Sequence, residues 1–331
     1  MAALEHTITA DSFNDTLNDA DSALGSEPSS DTTSVASWIR EYRIENGRRY
    51  HSFGDELYWQ PNDERAQNHN DLAHELYTRT FGGALFLAPL EEPLHALDVG
   101  TGPGVWAIDF ADQHPQCDVL GTDISPIQPT FVPPNCRFEV SDAERDWSFP
   151  ENHFDYIHVR TLFGGIAHWP DFYARCLRHL KPGGYLEQAE YSSWLISDDG
   201  TLKDDSPIGK SNALGKRCYD MFNRPEGDLN IFETMKDRIR KAGFEDVVEH
   251  RFKWPLGRWP KDKIMKELGL WASVHLDMGM EGYTMRLFTM MLGMSAEEVH
   301  VLCTEIRAQL RDRRVHAIWP MNVVVAKKPM L

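Results

Sequence analysis

Three aspartates in this chain each follow a short apolar run: Asp98 in Leu97-Asp98-Val99, Asp123 in Gly121-Thr122-Asp123-Ile124, and Asp142 in Ser141-Asp142-Ala143-Glu144. The first leads into Gly100-Thr101-Gly102-Pro103-Gly104-Val105-Trp106. Glycines at alternate positions let the backbone turn tightly and approach a ligand without interference from a Cβ. A helix opening there would aim free N–H groups at a negative group. A dinucleotide turn reads Gly-x-Gly-x-x-Gly, whereas here the third glycine comes one residue early and Val105 holds the place that pattern requires. A carboxylate just ahead of the loop opposes a pyrophosphate but receives an ammonium. The pattern therefore favours S-adenosylmethionine, with an NAD-dependent oxidoreductase as the lesser alternative. Asp123 suits two ribose hydroxyls, Ile124 the adenine face, and Asp142 the adenine amino group beside the Ala143 backbone. The expected cofactor site thus runs through Asp98, Gly100, Thr101, Gly102, Gly104 and Trp106 to Asp123, Ile124, Asp142 and Ala143.

Methyl transfer from such a donor is an in-line displacement at an activated carbon. The protein's part is positioning, desolvation and, for some acceptors, removal of a proton. No nucleophile is required of the sequence. Near the fourth apolar run lie His158, Arg160, Thr161 and His168-Trp169; near the fifth lie Glu187, Glu190 and Tyr191. For a hydroxyl or amine acceptor, His168 and Glu190 are the candidate general bases. Arg160 is suited to a carboxylate or to the donor, or to pairing with an acid nearby. His69, Asp71 and His74 invite a metal, but histidines five apart share a helical face poorly, and no metal is expected.

These residues need a frame of alternating strands and helices. The apolar runs predict strands at His95–Val99, Asp118–Thr122, Cys136–Val140, Phe154–Val159, Tyr185–Ala189, Val247–Lys253 and Ile318–Ala326. Helices are expected at Glu64–Thr80, Val105–Gln113, Pro170–Leu180 and Ile231–Ala242, the last closed by Gly243. Lys181-Pro182-Gly183-Gly184 reads as a breaker. A further short helix is expected from Ser34, with Trp38, Ile39 and Tyr42 on one face. The alternation implies an α/β, Rossmann-like fold with a seven-stranded, mostly parallel sheet covered on both faces. Residues of about 255–314 are helical in pattern and rich in Trp and Met, including Trp259, Trp271, Tyr283, Met285 and Phe288. They are expected to form a helical cap inserted before the last strand, lining an apolar pocket or simply packing as core. Residues 1–33 are read as a disordered acidic leader, 34–93 as a helical segment packed on the core, and 94–331 as the catalytic domain.

Composition narrows the class. The chain has 331 residues, 41% of them hydrophobic, enough for a sizeable core. No apolar run reaches membrane-spanning length, and without a basic stretch followed by an apolar one at the N-terminus secretion is not expected. The net charge of −17 opposes binding to nucleic acid. The leader contributes Asp11, Asp15, Asp19, Asp21, Glu27 and Asp31 without a Lys or Arg, a surface for a basic protein partner or a merely solvated tail. Cys117, Cys136, Cys176, Cys218 and Cys303 show no metal-ligand or redox spacing, which suits reduced thiols in the cytoplasm or nucleus.

The run Leu97–Asp109, followed by Asp123-Ile124-Ser125-Pro126-Ile127-Gln128-Pro129, resembles the fungal LaeA-like methyltransferases. Pro61-Asn62-Asp63-Glu64, Phe154-Asp155-Tyr156-Ile157-His158, Leu180–Glu187, Arg251-Phe252-Lys253-Trp254-Pro255 and His316-Ala317-Ile318-Trp319-Pro320 carry the likeness from about Tyr42 to the C-terminus. Pro103 departs from the family's Thr or Ser, and His69-Asn70-Asp71-Leu72 stands where the family often has Asp-Arg-Leu-Asp. The resemblance implies a class I methyltransferase fold, S-adenosylmethionine as donor, and a place in fungal secondary metabolism. That place is either a pathway enzyme acting by O- or N-methylation on a small-molecule acceptor, or a regulator in a nuclear protein complex.

Overall fold

The computed structural model describes residues 8, 42–51, 58–222 and 230–330. Arg43–Glu45 (β1) and Arg48–Tyr50 (β2) form a hairpin. Its turn is Asn46-Gly47, with φ of 50° and 74°, the positive pair that a two-residue hairpin turn requires. The hairpin lies inside the segment 34–93 read as helical, and Asn46-Gly47 was the signal for it. Residue 8 apart, the acidic leader, and the helix expected from Ser34 up to residue 41, lie outside the described residues.

Helix α1 spans Glu64–Thr80, as predicted. Asp63 caps it by accepting from Ala66 N at 3.0 Å, and Arg48 grips the same carboxylate with two nitrogens at 2.6 and 2.9 Å. The neighbouring Asn62 Nδ2 donates to Ser125 Oγ at 3.1 Å. The Pro61–Glu64 segment thereby ties the hairpin and α1 to the strand end that carries Asp123.

The body alternates β3 (His95–Val99), α2 (Val105–Gln113), β4 (Asp118–Asp123), β5 (Cys136–Val140), β6 (Phe154–Arg160), α3 (Trp169–His179) and β7 (Leu180–Tyr191). It continues through α4 (Pro207–Phe222), α5 (Ile231–Lys241), β8 (Glu245–Pro255), α6 (Lys263–Leu292), α7 (Ala296–Arg311) and β9 (Ile318–Lys327). The seven-stranded sheet runs β5-β4-β3-β6-β7-β9-β8, with β9 antiparallel to both neighbours and the other pairings parallel. Strand order reverses between β3 and β6. A crevice therefore opens at their carboxyl ends, where such sheets bind ligands. Ala96, Leu97 and Val99 are buried on both faces of β3, as a central parallel strand requires. All five cysteines are buried and free.

Two elements differ from the sequence reading. Strand β7 begins at Leu180, so Lys181-Pro182-Gly183-Gly184 ends α3 but does not interrupt the sheet. The irregularity is absorbed as a register shift between Phe154 and Tyr156 on β6. Helix α4 was not foreseen. The cap appears where expected, as α6 and α7. Asp262 caps α6 at its start and Gly293, at φ 66°, ends it; a reciprocal Ser295–Glu298 box opens α7. Arg65 and Arg79 on α1 reach Glu281 and Glu267 on α6 at 2.7 and 2.8 Å, fastening the cap over the crevice.

Candidate functional site

At the reversal point, Asp98 and His158 are register partners on β3 and β6. His158 Nδ1 donates to Asp98 Oδ1 at 2.7 Å, and Thr101 Oγ1 donates to Oδ2 at 2.6 Å. All three side chains are buried. Burial holds the His158 imidazole below its usual pKa against the pull of Asp98, so the ring is neutral. The Asp98 carboxylate lines the crevice with lone pairs to spare.

The glycine loop above it is shaped by φ of 71°, 57° and 87° at Gly100, Gly102 and Gly104. Gly100 N and Thr101 N both donate to Thr122 O, Gly102 N donates to Asp123 Oδ2 at 2.9 Å, and Gly104 N donates to Thr101 O. These N–H groups are engaged internally, which leaves little for a pyrophosphate and argues against a dinucleotide. Asp123 also accepts from Ser125 N at 2.8 Å. Its burial nevertheless pushes its carboxyl up to about 6.

A cleft of about 1130 Å³, open mouth included, connects these parts. Asp98, Gly100, Thr101, Gly102, Asp123, Ile124, Asp142 and Ala143 all line it. Asp142 is steadied by Glu144 N at 3.0 Å, and Glu144 in turn accepts from Ala167 N, closing one wall. Arg160 also lines the cleft. Its guanidinium stands over the Tyr77 ring and meets His74 Nδ1 at 3.4 Å. The acid that His74 engages is Asp109, at 3.0 Å from Nε2, so Arg160 is left facing the cleft with its charge available.

Four expected site residues lie elsewhere. Trp106 is buried, stacked on His158 with ring centroids 3.7 Å apart, and bonded through Nε1 to Leu85 O; it supports the site from behind. Gly104 is needed for packing, since a Cβ there would sit 2.4 Å from the Phe138 ring. His168 caps α3, accepting from Asp171 N, and its side chain is exposed, away from the cleft. Glu190 is fully buried and accepts from Leu162 N at 3.0 Å and Gln188 Nε2 at 3.1 Å. Leu162 in turn covers Gly100, whose added Cβ would meet it at 2.7 Å. Glu190 thus anchors the wall, and neither candidate base meets the reaction space.

The structure brings in residues that strand-end reasoning missed. Tyr58, His69, Asn70 and His275 line the same cleft. His69, like His74, is a polar group buried among the apolar residues Ala66, Ala73, Leu76 and Tyr77 of α1, a pattern that could have flagged it. A second, apolar cavity of about 890 Å³, mouth included, opens beneath the cap between Trp59, Phe163, Trp194, Met280, Phe288 and Trp319. Tyr191, at the end of β7, lines both cavities.

Residues 72–250 match the methyltransferase domain family. The chain is 41% identical to the methyltransferase pytC of Aspergillus terreus, an alignment covering 91% of this chain and 94% of that one. It is 33% identical to the secondary metabolism regulator LAE1 of Cochliobolus heterostrophus, over 86% and 94% of the two chains. It is 30% identical to the protein-methionine methyltransferase laeA of Emericella nidulans, over 88% and 77%.

Proposed function

Because this chain belongs to the methyltransferase domain family, within its LaeA-like fungal branch, we propose that it methylates a small apolar acceptor held beneath the α6–α7 cap. It is an S-adenosylmethionine-dependent enzyme, and the bound donor supplies an electrophilic methyl group on a sulfonium sulfur. The cleft's residues fit that donor. Asp98 receives the ammonium, and Arg160, with no carboxylate partner among the described residues, receives the donor's carboxylate. Asp123 takes the ribose hydroxyls, while Ile124, Asp142 and Ala143 hold the adenine.

The observation that carries the acceptor assignment is the wall shared at Tyr191: a charged, polar cleft on one side and an aromatic cavity on the other. Methyl transfer needs the donor methyl and the acceptor atom aligned and shielded from water, and two molecules meeting at that wall beneath the cap would answer that need. The apolar lining suits a polyketide, terpenoid or aromatic product of fungal secondary metabolism. The test is incubation of the protein with labelled donor and extracts of the producing fungus. A labelled, extractable small molecule is expected; its absence, with metabolite methylation unchanged on gene deletion, would refute the reading.

A second reading is a regulator that methylates a protein in a nuclear complex, favoured by the likeness to LAE1 and laeA. The acidic leader would then meet the partner. Transfer of label to protein in place of small molecules, with broad transcriptional change on deletion, decides for it. Either role suits a cytoplasmic or nuclear protein, and among the described residues no helix is long and apolar enough to cross a membrane.

A further inference from the structure

A chain of hydrogen bonds lies at the junction of the two cavities. Tyr191 Oη and Tyr283 Oη are 2.7 Å apart, and Tyr283 Oη is 2.9 Å from His69 Nε2. The three residues come from β7, α6 and α1, which no local sequence feature brings together. Room for the chain is built in: a Cβ at Gly279 would stand 2.4 Å from His69 Nε2. His275 stacks on the His69 ring, centroids 4.2 Å apart and planes 9° from parallel. His69 and Tyr191 border the donor cleft, Tyr191 and Tyr283 the apolar cavity.

We propose that the acceptor reacts through a hydroxyl group, a phenol or an enol, and that its proton leaves along Tyr191 and Tyr283 to His69. This rests on the small-molecule reading and narrows its substrate class. The acceptor O–H donates to Tyr191 Oη, so Tyr191 donates onward to Tyr283 and Tyr283 to the bare His69 Nε2. As the acceptor oxygen forms its bond to the methyl carbon, the carbon–sulfur bond breaks and leaves its electron pair on sulfur. The acceptor O–H bond breaks, each tyrosine passes one proton and receives one, and an N–H bond forms on His69. One positive charge is present before, on sulfur, and one after, on imidazole. Burial holds the His69 pKa down at about 4, which keeps the ring neutral, with a nitrogen lone pair free, until the transfer. Tyr191 is the group that touches substrate; Tyr283 and His69 are positioning residues behind it. A thioether acceptor would release no proton and would have no use for the chain.

The test uses the full chain, labelled donor, and two probes of different acidity, 2-naphthol and 4-nitrophenol, at mildly alkaline pH where only the second is ionised. Tyr283→Phe keeps the ring and cuts the chain. Its kcat for 2-naphthol should fall roughly a hundredfold with KM little changed, while 4-nitrophenol, needing no proton acceptor, should lose little. The pH profile for 2-naphthol should become first order in hydroxide. Binding of 2-naphthol in the presence of S-adenosylhomocysteine, followed by tryptophan fluorescence, should be unchanged, and the His69 Nε2 resonance in ¹⁵N NMR should move. Equal losses for both phenols, a loss in KM alone, or unchanged kcat overturns the relay and leaves the small-molecule reading intact. No transfer from the wild type to either phenol, with label passing to protein instead, sinks that reading and the relay together.

Discussion

Asp98 and His158 sit side by side in register on adjacent parallel strands, joined at 2.7 Å, and the far face of the imidazole lies on Trp106. The indole fixes the ring plane, the ring fixes the carboxylate, and Thr101 holds the second oxygen. One charged group is thereby aimed into the crevice with its rotamer locked, which is how a site gains precision without a loop closing on it. Asp98→Asn keeps the shape and removes the charge proposed to meet the donor's ammonium. Donor affinity by calorimetry should fall by ten- to a hundredfold, the worth of a charge-assisted hydrogen bond of about 1.5–3 kcal/mol. Wild-type affinity would remove Asp98 from the site.

Asp123 carries a pH dependence. Its carboxyl titrates at about 6 in the folded protein because burial outweighs the N–H donors of Ser125 and Gly102. The ionised form accepts from hydroxyls and the protonated form accepts poorly. Donor affinity should therefore be level above about pH 7 and fall towards tenfold per pH unit below 6. Asp123→Asn should bind weakly at every pH and show a flat profile over the same range. A wild-type affinity independent of pH between 5 and 8 would refute the assignment.

The legible parts of this fold are those where periodicity and punctuation agree. Asp63 and the stripe through Ala66, Ala73 and Leu76 define α1, and the apolar run before Gly100 defines β3. The carboxylates Asp98, Asp123 and Asp142 were legible because strand ends in a doubly wound sheet converge whatever the loops do. The acceptor side was not. Glu190 and Tyr191 are one residue apart on β7, and strand alternation sends them to opposite faces, so Tyr191 meets both cavities while Glu190 is buried behind Leu162. Choosing between them requires the register of β7 against β9, fixed by tertiary pairing. His69 and Tyr283, 214 residues apart in sequence, meet because α6 lies across α1, which no pattern within either helix announces.

Glu190 should make the protein less stable as pH rises. Burial pushes its carboxyl up to about 7, above the ordinary 4.5, and its Oε2 has no hydrogen-bond partner. The folded form binds the proton more tightly than the unfolded chain. Its stabilising share is thus complete below about 4.5, declines as pH climbs, and is gone above about 7, a change on the order of 3 kcal/mol. Glu190→Gln stays neutral throughout and keeps an oxygen for Leu162 N. The melting temperature of the variant relative to wild type should rise from pH 5 to about 7 and level off by pH 8. A constant difference would mean that Glu190 does not titrate in that window.

Gly279 offers a test whose sign is opposite to the helix rule. It lies inside α6, where Gly→Ala ordinarily stabilises by up to about 1 kcal/mol through backbone entropy. Here the added Cβ would meet His69 Nε2 at 2.4 Å and the Tyr283 ring at 2.7 Å. Neither ring has a free direction in which to retreat: His69 is stacked on His275, and Tyr283 is bonded to Tyr191. The overlap should outweigh the entropic gain, so Gly279→Ala should lower stability by about 1–3 kcal/mol in denaturant titration. Combining it with His69→Ala, which opens the space, should recover part of that loss, because residues in contact do not act additively. A more stable single variant would show that α6 and α1 are packed more loosely than these distances state, and that the imidazole does not reach the tyrosine hydroxyl.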